Sequence, residues 1–298
     1  MTTGDGTFTA SSDGGPAAGG EQALVARAID GDAAALEDIV HRVQDPVYRL
    51  ALRMAGRPAD AEDAAQEILI RIVTRLASWR GEASLTTWAY RIAVNYLLSL
   101  HRTRFERDIS FESLGASLAD GLASTAYQGP EAELLAEEVR LGCTQAMLQC
   151  LDRPLRVTYV LGEVFLLPSE EAAWILGVAP ATYRKRLERA RRRIRWFMSG
   201  HCGLVNEAAP CRCAKRVETG LARGQLEAAH PVFAGHPVAS EEPGRAGVAD
   251  GARQMHRLHN AASVLRSHPA YAAPRDRSEA VLALLRSGRY PLLSAERG

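Results

Sequence analysis

Between Asp60 and Leu76 the sequence DAEDAAQEILIRIVTRL places Ala61, Ala65, Ile68, Leu69, Ile72 and Leu76 at i, i+4, i+7, i+8, i+11 and i+15, one face of a helix that packs inward. Asp60 opens a second face, on which Asp63, Gln66, Glu67 and Ile70 form a polar, partly acidic stripe around one apolar side chain. Such a stripe suits a docked partner. An acidic first turn is also what the helix dipole favours with no partner at all.

Helical spacing continues from Gln22 to about Arg104, interrupted near Gly31, at Pro46 and from Gly56 to Pro58, and predicts one helical domain over residues 21–104. Phe105 to Pro130 (FERDISFESLGASLADGLASTAYQGP) has weak periodicity, many small residues and four acids, and reads as a flexible linker over 105–130. From Glu131 to Met198 the period returns, broken at Asp152 to Pro154, Leu167 to Ser169 and Gly177 to Pro180, which predicts four short helices in a second domain, 131–198. Residues 199–298 form an extension: a Cys/His cluster, a Gly/Pro-rich passage from His230 to Gly247, then helical stretches near Ala252–Ser267 and Arg277–Ser287. Leu258, Ala262, Leu265, Val281, Leu282, Leu284 and Leu285 give those stretches enough apolar surface to pack on the second domain. Residues 1–20 have neither a basic start nor an apolar run, so a disordered tail is expected there rather than a secretory signal. The fold class expected is all-α.

Two segments carry candidate chemistry. In WRGEASLTTWAYRIAVNYLLSLHRTR, residues 79–104, a loop leads into a helix with interleaved aromatic, polar and basic residues. Aromatic faces stack unpaired bases while guanidinium groups hold the backbone, the combination that grips single-stranded nucleic acid. Trp88, Ile92 and Tyr96 lie at i, i+4 and i+8, so Trp88 also reads as core. In SEEAAWILGVAPATYRKRLERARRRIR, residues 169–195, a short helix ends before Gly177 and Pro180 stands in the first turn of the next, the grammar of a helix-turn-helix. Tyr183, Leu187, Ala190 and Ile194 face inward at i, i+4, i+7 and i+11, leaving Thr182, Arg186, Arg189 and Arg193 outward with Lys185 and Arg192 beside them. A recognition helix needs this division: guanidinium groups meet phosphates while N-terminal side chains, here Thr182, Lys185 and Arg186, reach base edges. A solvated Arg-rich helix is the plainer reading, but it would intersperse acids at i+4.

Charge sharpens this contrast. The whole chain carries a net charge of only +1, yet Arg184 to Arg195 holds eight basic residues against Glu188, and Asp60 to Glu67 holds four acids and no base. Apolar residues at 47% and charged residues at 24% suit a globular chain with real cores. No run reaches the roughly 18 uncharged apolar residues of a membrane span, since Glu163 interrupts the best candidate, and five cysteines, an odd number, suit a reducing compartment. A soluble, cytoplasmic protein without membrane insertion is expected.

The order of these parts, a polar docking helix, an aromatic and basic segment, a linker and a helix-turn-helix, resembles the extracytoplasmic-function (ECF) sigma factors of bacterial RNA polymerase over residues 22–198. The resemblance implies that Asp60, Asp63, Gln66, Glu67 and Ile70 contact core polymerase. It implies that Trp79, Arg80, Thr87, Trp88, Arg91, Asn95 and Arg102 surround the minus-ten element as it opens. Thr182, Arg184, Lys185, Arg186, Arg189, Arg192 and Arg193 would read the minus-thirty-five duplex. Such a protein makes and breaks no bond; its binding energy offsets base unstacking, a cost of a few kcal/mol per flipped base. The chain departs from the family pattern at Ala172, usually a larger aliphatic; at Trp174, usually polar; and at Leu167-Pro168, which replaces a Gly-containing turn.

The resemblance requires no cofactor. In HCGLVNEAAPCRC, however, His201, Cys202, Cys211 and Cys213 supply four soft or borderline ligands that suit zinc, at spacings tighter than the usual ones. The same thiols could sense redox state, or be a buried cluster; Cys143 and Cys150, at i and i+7, read as small core residues. The CGLVN…PCRC run resembles segments that follow the helix-turn-helix in some sigma factors of this class. An anti-sigma protein, or the extension acting in its place, is the expected regulator. Two other classes compete: a stand-alone helix-turn-helix regulator, which a core-polymerase pull-down would separate, and an enzyme. No nucleophile elbow, phosphate-binding Gly loop or paired-His zinc helix supports the enzyme.

Overall fold

Asp32 accepts hydrogen bonds from the amides of Ala34 and Ala35 and so starts α2 (Ala33–Ala55), which runs through Pro46 and stops at Gly56 in the left-handed region, φ 81°. The computed structural model describes residues 16–101, 103–238 and 261–286. Preceding α2 is α1 (Pro16–Ile29), and following it are α3 (Pro58–Thr74), with Pro58 in its first turn, and α4 (Leu85–Ser99), capped by Ser84. Ile39, Val43 and Leu50 of α2 pack with Ile68 and Ile72 of α3 and with Leu85 and Ala89 of α4, all fully or almost fully buried. Each such side chain contributes about 1.5–3 kcal/mol relative to exposure, alanine less.

A second bundle holds α7 (Ala132–Gln149), α8 (Arg153–Tyr159) with its π-helical continuation Val160–Val164, α9 (Ser169–Leu176) and α10 (Pro180–His201). Gly177, at φ 62°, makes the turn between α9 and α10; a Cβ there would meet nothing, so the backbone angle alone favours glycine.

Residues 105–130, expected as a flexible linker, carry α5 (Arg104–Asp108) and α6 (Phe111–Asp120) instead. Ser110 and Ser113 form a reciprocal capping box that starts α6. Phe111, Leu114 and Leu118 then lie on one side, and the Phe111 ring meets Phe197 of α10 at 5.1 Å between centroids. The extension contributes α11 (Cys213–Ala222), α12 (Ala261–Arg266) and α13 (Arg275–Arg286). Residues 1–15 of the expected tail, Leu258 and the first part of the stretch expected from residue 252 lie outside the described residues. The described residues include no strand, only isolated bridges Cys202 to Cys211 and Val238 to Tyr271, so the fold is all-α. No described helix is long and apolar enough to cross a membrane.

Buried apolar residues of both bundles and the extension form one continuous cluster. Polar contacts tie the parts together. Glu106 of α5 receives hydrogen bonds from Arg153 and Arg156 of α8, and Arg156 also donates to the Met54 carbonyl at the end of α2. The extension is held to α7 through Glu138, whose carboxylate accepts the amides of Val232, Phe233 and Ala234. It is held to α2 through Tyr48, 2.7 Å from His236, and through Asp45, which accepts from the Ala273 amide at 2.9 Å.

Candidate partner and nucleic-acid interfaces

The six apolar positions read from the sequence are all buried, five on α3 and Leu76 in the 3-10 turn just after it, and the second face is where the spacing places it. Asp63 is exposed, while Asp60, Gln66, Glu67 and Ile70 are half-buried. Asp60 and Asp63 also line a cleft of about 380 Å³ that reaches Tyr96 and Arg153. Helix α13 lies against this face. Arg277 stands 3.5 Å from Glu62 and 3.5 Å from Asp63 and donates to Gln66 at 3.4 Å. Glu67 pairs instead with Arg71 of its own helix, whose guanidinium lies 4.6 Å from the centre of the Tyr96 ring.

The segment read for single-stranded nucleic acid is divided. Trp79 is half-buried, its indole donating to the Ala83 carbonyl, and Arg80 and Asn95 are exposed. Trp88 is half-buried against the core. Thr87 is buried, and its hydroxyl donates to Glu171 of α9 at 2.5 Å. Arg91 places its guanidinium 4.6 Å from the centre of the Trp174 ring, also on α9, and Tyr90 stacks on Phe165. Arg102 lies outside the described residues. The first helix of the helix-turn-helix therefore covers Thr87 and Arg91.

Helix α10, expected from the sequence as a recognition helix, is open by comparison. Tyr183, Leu187, Ala190 and Ile194 are buried as their spacing requires; Thr182, Arg184, Lys185, Arg189 and Arg192 are exposed, and Arg186 and Arg193 half-buried. Its ion pairs are long, Arg184 to Glu170 and Arg193 to Asp152 at 3.9 Å each, apart from Arg191 with Glu163 at 2.5 Å. Such exposed pairs contribute about 0–1 kcal/mol and yield readily to phosphates.

Of the four candidate metal ligands, Cys202, Cys211 and Cys213 line one small cavity; His201 turns away, its ring stacked on Phe197 at 4.5 Å and its Nδ1 3.0 Å from the Phe197 carbonyl oxygen. Cys143 of α7, read from the sequence as core, lines the same cavity. Among the described residues no group of three or more His, Cys, Asp and Glu side chains could hold a metal ion. Sequence reasoning also missed Glu171, Trp174 and Arg277, whose partners lie far away along the chain. Trp174, an aromatic at a family-polar position, was the one visible signal.

An all-helical chain with an acidic face on α3 and an open basic helix after a helix and turn has the layout expected of a DNA-binding transcription protein. The Sigma-70 region 2 family matches residues 39–105. The ECF RNA polymerase sigma-E factor of Escherichia coli is 34% identical over 179 residues, 58% of this chain and 92% of that protein. The ECF RNA polymerase sigma factor SigE of Mycolicibacterium smegmatis is 31% identical over 183 residues, 60% of this chain and 68% of that one. CnrH, solved in complex with the cytosolic domain of CnrY, is 23% identical with a TM-score of 0.41, covering 58% of this chain and 93% of that one. The chain belongs to the ECF RNA polymerase sigma factors. It acts in transcription initiation, with core RNA polymerase and promoter DNA as partners, and its family is not a class of enzymes.

Proposed function

We propose that Asp60, Asp63, Gln66, Glu67 and Ile70 dock on core polymerase, that the α4 segment from Trp79 to Asn95 holds the opened minus-ten strand, and that α10 reads the minus-thirty-five duplex. The protein catalyses no reaction of its own and works in the cytoplasm, beside the polymerase. The conformation described is a closed form: α13 lies over the docking face, α9 lies over Thr87 and Arg91, and the extension fastens both bundles. The extension thus does the work of an inhibitory partner. One observation carries this reading, the placement of Arg277 between Glu62, Asp63 and Gln66. The polymerase would compete for the same carboxylates, so its affinity is lowered by the fraction of chain that is closed.

Reconstituted transcription with the full chain, core polymerase and a genomic promoter library, followed by start-site mapping, tests it. Start sites should share two spaced elements and appear only when sigma and core are both present. A chain that bound promoter duplex but showed no affinity for core enzyme and directed no start sites with it would be a stand-alone regulator instead.

A further inference from the structure

Of the large apolar side chains among the described residues, Trp196 on α10 is the most exposed, at 69%. It follows Thr182 by fourteen residues, so at about 100° per residue it lies about 40° from Thr182 around the helix, between Thr182 and Lys185. Arg189 and Arg193 stand on the same stripe, at i−7 and i−3 from the ring. The outward face of α10 therefore runs on from its basic residues into an indole. Packing gives no reason for that ring. At this end of the helix Ile194, Phe197 and Met198 fill the core, all fully buried. The cation–π pairs among the described residues, Arg71 with Tyr96 and Arg91 with Trp174, do not involve it.

The surroundings select the chemistry of the partner. Arg192, Arg193 and Arg195 lie within the preceding turn, and the nearest acid before the ring on its helix is Glu188, eight residues away. A tryptophan that anchors a protein–protein contact sits in a packed patch from which water is excluded. Around Trp196 the exposed neighbours on the helix are Arg192, Arg195, Ser199 and Gly200, a border that suits a polyanion. Length points the same way. Fourteen residues carry Trp196 about 21 Å along the axis from Thr182, farther than the major groove is wide, roughly 12 Å. A helix whose first turn reads base edges thus brings Trp196 to the sugar-phosphate wall of the groove.

We infer that Trp196 is a DNA-contacting residue, its ring packed on the backbone sugars at the edge of the minus-thirty-five duplex and its indole N–H donated to a phosphate oxygen. The inference rests on α10 being the duplex-binding helix and extends that contact surface by a side chain without charge. Indole offers a donor and no acceptor, which matches a phosphate oxygen. Contacts to sugar and phosphate fix register and orientation and carry no sequence information directly. Trp196 accordingly sets how α10 lies in the groove, while Thr182, Lys185 and Arg186 at the other end read the bases.

Anisotropy titrations of the full chain on matched and scrambled duplexes over a range of salt concentrations test this. Trp196→Ala should lower affinity on the order of three- to tenfold, the size of one net hydrogen bond, and equally on both duplexes. Trp196→Phe, which keeps a ring and loses the donor, should fall between. No charge is removed, so the slope of log affinity against log salt should stay that of the unsubstituted chain, whereas Arg192→Ala should reduce it by about one. In chain labelled with fluorotryptophan, the fluorine resonance missing from Trp196→Phe should shift when duplex is added. Unchanged duplex affinity in Trp196→Ala, where Arg186→Ala weakens binding, would overturn the inference and leave α10 as the duplex-binding helix; if neither substitution weakened binding, that reading would fall too. A loss confined to the matched duplex would make Trp196 a base reader and overturn the backbone contact. Weaker binding to core polymerase, or loss of a concentration-dependent dimer, with duplex affinity intact would give the ring to a protein partner and overturn it as well.

Discussion

Helices α3 and α4 carry surfaces as chemically marked as that of α10, yet the structure treats them differently. Arg277 sits on the acidic stripe and α9 covers Thr87 and Arg91, whereas Lys185, Arg189 and Arg192 face solvent. On the proposed assignment, closure would act on access to polymerase and to the opened strand and leave duplex binding through α10 untouched. A chain so arranged can rest on DNA through its basic helix while its polymerase contacts are withheld. The phosphate-driven share of that affinity falls steeply with salt.

The link that breaks this contrast most strongly is Glu106. Its side chain is 3% exposed and bridges Arg153 and Arg156, the latter 2% exposed. Glu106→Gln leaves two guanidinium groups without their carboxylate, a loss of about 3–5 kcal/mol in unfolding free energy for a broken buried pair, read from the urea midpoint. The same group sets an acid limit. Burial pushes its carboxyl up, but hydrogen bonds from Arg153 and Arg156 outweigh burial and hold it down at about 2. A depressed folded value means that its stabilisation is complete above the ordinary 4.5 and is lost as pH falls from there through about 2. Urea midpoints measured across that window should fall for the unsubstituted chain, and this component of the fall should be missing in Glu106→Gln.

Next in size is the open face itself. Arg186→Ala should cost about 1–3 kcal/mol in binding to the minus-thirty-five duplex and relax base preference there, while Arg192→Ala should weaken all sequences alike. Fluorescence anisotropy on matched and scrambled duplexes distinguishes the two. If α10 is as open as its exposure indicates, both losses should be the same size in a chain that also carries Arg277→Ala.

On the covered side, Trp174→Ala removes the ring over Arg91, a contact that contributes roughly 0.5–2 kcal/mol. Freed of it, Arg91 becomes available, so the full chain should bind minus-ten single-stranded DNA several-fold more tightly, with faster amide hydrogen exchange at the start of α4. Unchanged affinity would mean that α9 covers nothing the strand needs.

What could be read in the sequence was what short range determines. The buried face of α3, its acidic stripe and the division of α10 into Tyr183, Leu187, Ala190, Ile194 inside and arginines outside follow from a period of 3.6 residues, and the structure keeps all of them. Helix α6 was hidden because Gly115 and four serines and alanines dilute a stripe of only Phe111, Leu114 and Leu118. The contacts that close the molecule have no local signature. Arg277 meets Gln66 across 211 residues and Thr87 meets Glu171 across 84, and an arginine or a glutamate on an exposed helix looks the same with or without such a partner. Cys143 was equally illegible, a lone thiol on an apolar stretch of α7 until the fold brings Cys202, Cys211 and Cys213 to it.

The smallest expected effect is also the most specific to closure. Arg277 is 40% exposed and its three contacts are 3.4–3.5 Å long, so Arg277→Ala should weaken the closed form by only about 0.3–1 kcal/mol. While the closed form dominates, apparent polymerase affinity scales with the open fraction, and that energy corresponds to a gain of about two- to fivefold. Arg277→Lys should keep part of the restraint, because it retains the charge beside Asp63 and loses the planar fork. Since these charges are exposed, the gain should shrink as ionic strength rises from about 0.01 to 0.15 M and the screening length falls from about 30 to 8 Å. Titrating labelled core enzyme with each variant at both salt concentrations measures this. A gain in Arg277→Ala that persisted undiminished at the higher salt would locate the restraint in the apolar packing of α13 on α3 and α2 rather than in its arginine.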